Sequence, residues 1–124
     1  MNFHNQTPIY LQIAEYIGEQ VLVQNWKPDD KVLSIRELAV QLEVNPNTVQ
    51  RTYDFLQTRE VIYTKRGLGY FVTPRAEQNY LDWRREAFVQ NELPIFFKQM
   101  RLLNMSFEEL EQRFNETIKK HETL

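Results

Sequence analysis

The sequence predicts a mainly α chain with a small β-hairpin: three helices, the hairpin, then a short C-terminal helical segment. Three observations carry that expectation. Helix-start signals stand at Thr7-Pro8, at Ser34 with Glu37, and at Asn45-Pro46. Two of only three glycines, Gly67 and Gly69, lie between β-branched and aromatic runs. After Pro74 only helical patterns remain.

In chain order, Thr7 is a cap residue and Pro8 the first helical position of a helix with Ile9, Ile13, Ile17 and Val21 as its apolar stripe. Gly18 inside it costs roughly 1 kcal/mol relative to alanine. Either another backbone approaches closely there or the glycine is simply tolerated, and tolerance is the preferred reading. "NWKPDDK" reads as a turn. Ser34 and Glu37 form a capping box for a short second helix with Ile35, Leu38, Ala39 and Leu42 on one face. Asn45 and Pro46 then start a third helix, ending near Thr58, whose Val49, Tyr53 and Leu56 face the core. Two short helices joined by a tight turn, followed by the "EVIYTKRGLGYFVTP" hairpin, make a winged helix-turn-helix. In the tail, Pro94 predicts a kink or break near Glu92 to Leu93, and Ser106 with Glu109 forms a capping box for a last helix. The expected division is a winged helix-turn-helix domain over 1–75 and a two-helix dimerisation segment over 76–124.

Composition narrows the function. The absence of cysteine removes disulfides, thiolate metal sites and cysteine nucleophiles, and His4 and His121 stand at opposite ends of the chain. No metal or cofactor is expected, and the chain is not expected to be an enzyme. With no secretion signal and no apolar run near the roughly 20 residues of a membrane span, the expectation is a cytoplasmic protein without membrane contact. Net charge is −2 and the pI near 5.7, acidic for a nucleic-acid binder. The cations are local, however: Lys65, Arg66 and Arg75 occur within 61–75 with no acid among them.

At about 100° per residue, burying Val49, Tyr53 and Leu56 leaves Asn47, Thr48, Gln50, Arg51 and Asp54 facing solvent. The N-terminal half of such a helix is what enters the major groove. Asn and Gln can pair with adenine, Arg with guanine, and the Thr methyl can contact thymine. Amides and hydroxyls also gather at helix starts as caps, which accounts for Asn45, but a merely solvated helix would carry Glu and Lys instead. Arg36, near the second helix N-terminus, could reach a phosphate or base edge. Lys65 and Arg66 at the hairpin tip could meet the minor groove or backbone, with Gly67 allowing close approach. Each of these three cations could equally be an ordinary surface charge.

The segments "PIYLQIAEYI", "LSIRELAVQLEVNPNTVQRTYDFL" and "RGLGYFV" together resemble the N-terminal DNA-binding domain of the GntR family of bacterial transcription regulators, and "VNPNTVQR" resembles its YtrA-like subfamily. The resemblance covers about residues 7–72. It implies a homodimeric winged helix-turn-helix, most simply a repressor, on double-stranded operator DNA, with contacts from Arg36, Asn47, Thr48, Gln50, Arg51, Arg66 and Gly67. Three departures stand out: Leu33 where the family commonly has proline, Asp29 where it has glycine, and Leu68 where a basic residue is frequent between the wing glycines.

A tail of about 50 residues is too short to enclose a metabolite and also build a core. Its apolar residues Tyr80, Trp83, Phe88, Phe96, Phe97, Met100, Phe107, Leu110 and Phe114 predict an isologous interface with a second copy. The competing expectation is packing back onto the first helix. A winged-helix module that binds protein and not DNA is the alternative function. No small-molecule effector can be named from the residues.

Overall fold

The computed structural model describes residues 7–121, so His4 lies outside the described part. The chain divides into two compact units, Met1–Arg84 and Arg85–Leu124.

In the first unit, α1 spans Ile9–Leu22, α2 Ile35–Leu42 and α3 Pro46–Thr58. The α1 start is one residue later than expected: Pro8 is the cap, with extended ψ of 142° and no side-chain cap bond. Ile13, Ile17 and Val21 are buried, whereas Ile9 is 47% exposed, because the buried stripe runs instead through Ala14 and Gln12. Ser34 Oγ accepts from Glu37 N at 3.0 Å and Glu37 Oε1 accepts from Ser34 N at 2.9 Å, completing the expected box at the start of α2. The backbone hydrogen bond from Ser34, its hydroxyl and the nearby Lys31 charge together hold the Glu37 carboxyl below its ordinary range. Glu43 ends α2 in the left-handed region at φ 56°. Asn45 Oδ1 accepts from Asn47 N at 2.7 Å and caps α3.

Val49, Tyr53 and Leu56 of α3 are fully buried, together with Ile13, Ile17, Leu38, Val61, Ile62 and Val72. Tyr53 also donates its hydroxyl to Leu33 O at 2.6 Å, and burial pushes its pKa well above the usual tyrosine value.

The hairpin pairs β1, Ile62–Lys65, with β2, Gly69–Val72, in antiparallel register from Ile62 opposite Val72 to Lys65 opposite Gly69. Gly67 and Gly69 take φ of 78° and 111°, the conformations that called for glycine. The "NWKPDDK" turn does more than turn. Its exit pairs with β2 through Val32 N to Tyr70 O and Val72 N to Asp30 O, both 3.0 Å, with Lys31 opposite Phe71. Asp29 sits at φ 66°, which explains the glycine usual in the family; its carboxylate accepts from Tyr63 Oη at 2.9 Å, which raises the tyrosine pKa.

Helix α4, Ala76–Ala87, docks through residues expected to serve a second copy. Tyr80 and Trp83 are only 4% and 7% exposed, so both are corrected from dimer contacts to core anchors. A Cβ on Gly18 would stand 1.9 Å from Tyr80 Cε1, so the glycine is there for close approach after all, of a ring and not of a backbone. Tyr80 Oη donates to Glu15 O at 3.3 Å, and Arg84 Nη1 donates to Glu15 Oε1 at 2.6 Å. Burial pushes the Tyr80 pKa up to about 12.

In the second unit, a π-helical turn at Phe88–Glu92 leads into α5, Leu93–Leu102, and α6 spans Phe107–Lys120. The expected break at Pro94 takes the form of that turn. Leu93 N donates to Phe88 O, five residues back, so the backbone widens its turn just before the residue that has no N–H. Ser106 caps α6 through Glu109 N at 3.1 Å, while the Glu109 carboxylate accepts from Arg113 Nε at 2.9 Å.

Candidate nucleic-acid interface

The first half of α3 presents a polar face because its opposite face is fully committed to the core. Asn47, Gln50 and Arg51 are exposed, and Thr48 is half-buried. Gln50 Nε2 donates to Asp54 Oδ1 at 2.9 Å, so the amide is tethered one turn along the helix. The Arg51 guanidinium carbon lies 3.9 Å from the centroid of the Tyr10 ring on α1. Thr52, absent from the expected set, is fully buried, and its one hydroxyl proton is shared between Tyr10 O at 2.8 Å, the shorter bond, and Thr48 O at 3.1 Å. That bond fixes the start of α1 against the middle of α3.

Arg36 is exposed in the first turn of α2, three residues after Leu33. In the wing, Lys65 Nζ lies 4.7 Å from the Phe71 ring centroid and 5.9 Å from that of Tyr63, so its stem runs along an aromatic ledge on one face of the hairpin. Arg66 and Gly67 occupy the exposed turn; a Cβ built on Gly67 meets nothing within 4 Å, so its requirement is the positive φ. The fold thus places Asn47, Thr48, Gln50 and Arg51 on one helix, Arg36 on the helix before it, and Lys65, Arg66 and Gly67 on the wing.

Tyr10 and Thr52 were not singled out in the sequence. A signal for Tyr10 existed: it stands three, four and seven residues before Ile13, Ala14 and Ile17, the spacing of one helix face. Among the described residues no helix is long and apolar enough to cross a membrane, and no group of three or more His, Cys, Asp or Glu could hold a metal ion.

Three helices with a capped second and third, followed by a glycine-tipped hairpin, define the winged helix-turn-helix class of DNA-binding regulators. Residues 9–72 match the bacterial regulatory proteins of the gntR family. The chain belongs to the GntR family of transcriptional regulators, and to its YtrA-like subfamily. It is 39% identical over 108 residues to the uncharacterized HTH-type transcriptional regulator YhcF of Bacillus subtilis, covering 87% of this chain and 88% of that one. It is 38% identical over 78 residues to the HTH-type transcriptional repressor YtrA of the same organism, covering 63% of this chain and 60% of the repressor. Among solved structures, a GntR-family transcriptional regulator from Bacteroides thetaiotaomicron superposes with a TM-score of 0.81 at 39% identity, over 92% of this chain and 99% of that chain. The AraR DNA-binding domain in complex with operator ORR3 superposes at 0.53 and 26% identity, over 59% of this chain and 88% of that chain. The family and these relatives are DNA-binding transcriptional regulators and not enzymes.

Proposed function

We propose that the chain is a sequence-specific repressor that binds a roughly palindromic operator as a homodimer. The carrying observation is the exposed Asn47, Gln50 and Arg51 on the first half of α3, the residue types that pair with base edges, on a helix whose other face is locked in the core. Arg36, Lys65 and Arg66 would hold phosphates and set the register, with Gly67 shaping the wing turn. Repression is supported by the relatives named as repressors, YtrA and NagR of Bacillus subtilis, and operator binding by the AraR domain solved with its operators. The two-copy reading is supported by the second unit, where Phe88, Phe96, Phe97, Phe107 and Phe114 are all 41% exposed or more. An acidic chain that stays cytoplasmic can still bind DNA this way, because pairing two copies puts two recognition helices and two wings on the same duplex.

Selection of bound sequences from a random duplex pool tests the proposal. The expected product is an inverted repeat with half-sites about one helical turn apart. Its affinity should fall with salt and fall further with Arg51→Ala. A selection that returns no enriched sequence would refute the reading.

A further inference from the structure

We infer that Tyr10 is a positioning residue for base recognition: its ring is the platform that holds the Arg51 guanidinium flat and in-plane for pairing with one base of the operator. The inference rests on the reading of α3 as the helix that faces the bases.

The guanidinium lies 3.9 Å from the Tyr10 centroid, within stacking range. A guanidinium whose carbon sits over a ring at this distance can stack by its face, which leaves its N–H donors free at the edge, the fork that matches guanine O6 and N7. The partner matters as much as the distance. Gln50 is tied to a carboxylate, Asp54, whereas Arg51 rests on an uncharged ring that neither neutralises it nor competes for its donors. An exposed arginine otherwise samples many rotamers, and holding it in one before DNA arrives lowers the ordering cost of binding.

The platform is itself held by α3 and, through it, by α4. The Tyr10 carbonyl accepts from the buried Thr52 hydroxyl of α3 at 2.8 Å, one residue from Arg51. The ring meets Phe55 of α3 edge-on at 6.2 Å, and Phe55 meets Trp83 of α4 edge-on at 4.9 Å. Tyr10 therefore stands at the end of an aromatic row that begins on α4 and finishes under the exposed arginine. A residue serving only to close the core would not need a ring face turned toward a solvent-exposed cation.

The test uses the full chain and the operator recovered by random-pool selection. Binding of wild type, Arg51→Ala, Tyr10→Phe, Tyr10→Leu and Tyr10→Gln is measured by fluorescence anisotropy on that operator and on duplexes changed one base pair at a time, at several salt concentrations. Arg51→Ala is expected to identify one base pair per half-site whose preference collapses. Tyr10→Leu and Tyr10→Gln should lose preference at that same base pair by about tenfold, the scale of one bidentate pairing. Tyr10→Phe should keep it, and the salt slope should be the same for all three. Using two non-aromatic replacements of different polarity guards against a folding defect in one of them.

The inference is overturned if the non-aromatic variants keep that preference, or if they weaken all duplexes equally, which would mark Tyr10 as a support for the fold alone. Loss of preference in Tyr10→Phe would also overturn it, by assigning the effect to the hydroxyl. Failure of the wild type to select any sequence would instead remove the DNA-reading assignment itself, and the Tyr10 role with it.

Discussion

Gly18 shows how a single missing side chain decides where a helix docks. Alanine there would gain roughly 1 kcal/mol of helix propensity. Its Cβ, however, would stand 1.9, 2.1 and 2.3 Å from three atoms of the Tyr80 ring. That overlap cannot be absorbed by a small shift, since Tyr80 is 4% exposed and its hydroxyl is bonded to Glu15 O. Overpacking of this kind costs about 1 to 3 kcal/mol or more, so the steric cost exceeds the propensity gain. Gly18→Ala should therefore lower the unfolding free energy by up to about 2 kcal/mol in a urea titration. Trp83 fluorescence in the folded protein should shift toward that of a more solvated indole, because Tyr80 and Trp83 pack edge-on at 5.7 Å and move together. An unchanged midpoint and spectrum would mean that α4 is not seated through this notch. The glycine itself was visible in the sequence, but its purpose was not, because the ring that fills the notch is 62 residues further along.

At the scale of the element, α3 was legible almost to the residue. Asn45 and Pro46 start it, Thr58 ends it, and the buried side is the one its periodicity marks. Local signals suffice where local hydrogen bonds do the work, as they also do at the Ser34 box and in the glycine turn of the wing. They fail where the partner is distant. The strand-like pairing of Asp30 and Val32 with β2 is hidden in a segment whose Pro and Asp content reads only as a turn. Likewise the face of α3 could be listed from a wheel, but not that Gln50 is tethered to Asp54 or that Arg51 lies on Tyr10.

The tether makes a prediction for the element. On the proposed DNA-facing side, Asp54 both occupies the Gln50 amide and places a negative charge toward phosphate. Asp54→Ala removes both effects. Operator affinity should rise by roughly three- to tenfold at low salt and converge toward wild type as the Debye length falls below about 10 Å. Anisotropy titrations across a salt series read this directly. A variant that binds more weakly at every salt concentration would place Asp54 among the contacts that hold α3 in its reading orientation.

For the whole molecule, the second unit's exposed apolar face is what calls for a partner. Helical periodicity correctly marks an apolar tail but cannot say which surface it meets. Two of the residues expected to serve a second copy, Tyr80 and Trp83, instead complete the first unit. The others separate from them by exposure: Phe88 is 48%, Phe96 41%, Phe97 52%, Phe107 72% and Phe114 61% exposed, while Met100 and Leu110 are half-buried. Exposure of so many large apolar side chains within 40 residues is unfavourable in water, at about 25 cal/mol for each Å² left uncovered. A second copy offers the same face and can cover both at once. Phe97→Glu should then shift the protein from dimer to monomer in sedimentation equilibrium, because it would bury a carboxylate among apolar neighbours in the shared face. The same substitution should weaken operator binding by orders of magnitude while leaving binding of an isolated half-site nearly unchanged, since each monomer keeps its recognition helix and loses only the linkage to the second. Thermal unfolding of the first unit should be little affected, as its core residues all lie within 13–83. A variant that still sediments as a dimer, or a wild type that is monomeric at micromolar concentration, would leave the tail to another partner and remove the symmetric operator from the proposal.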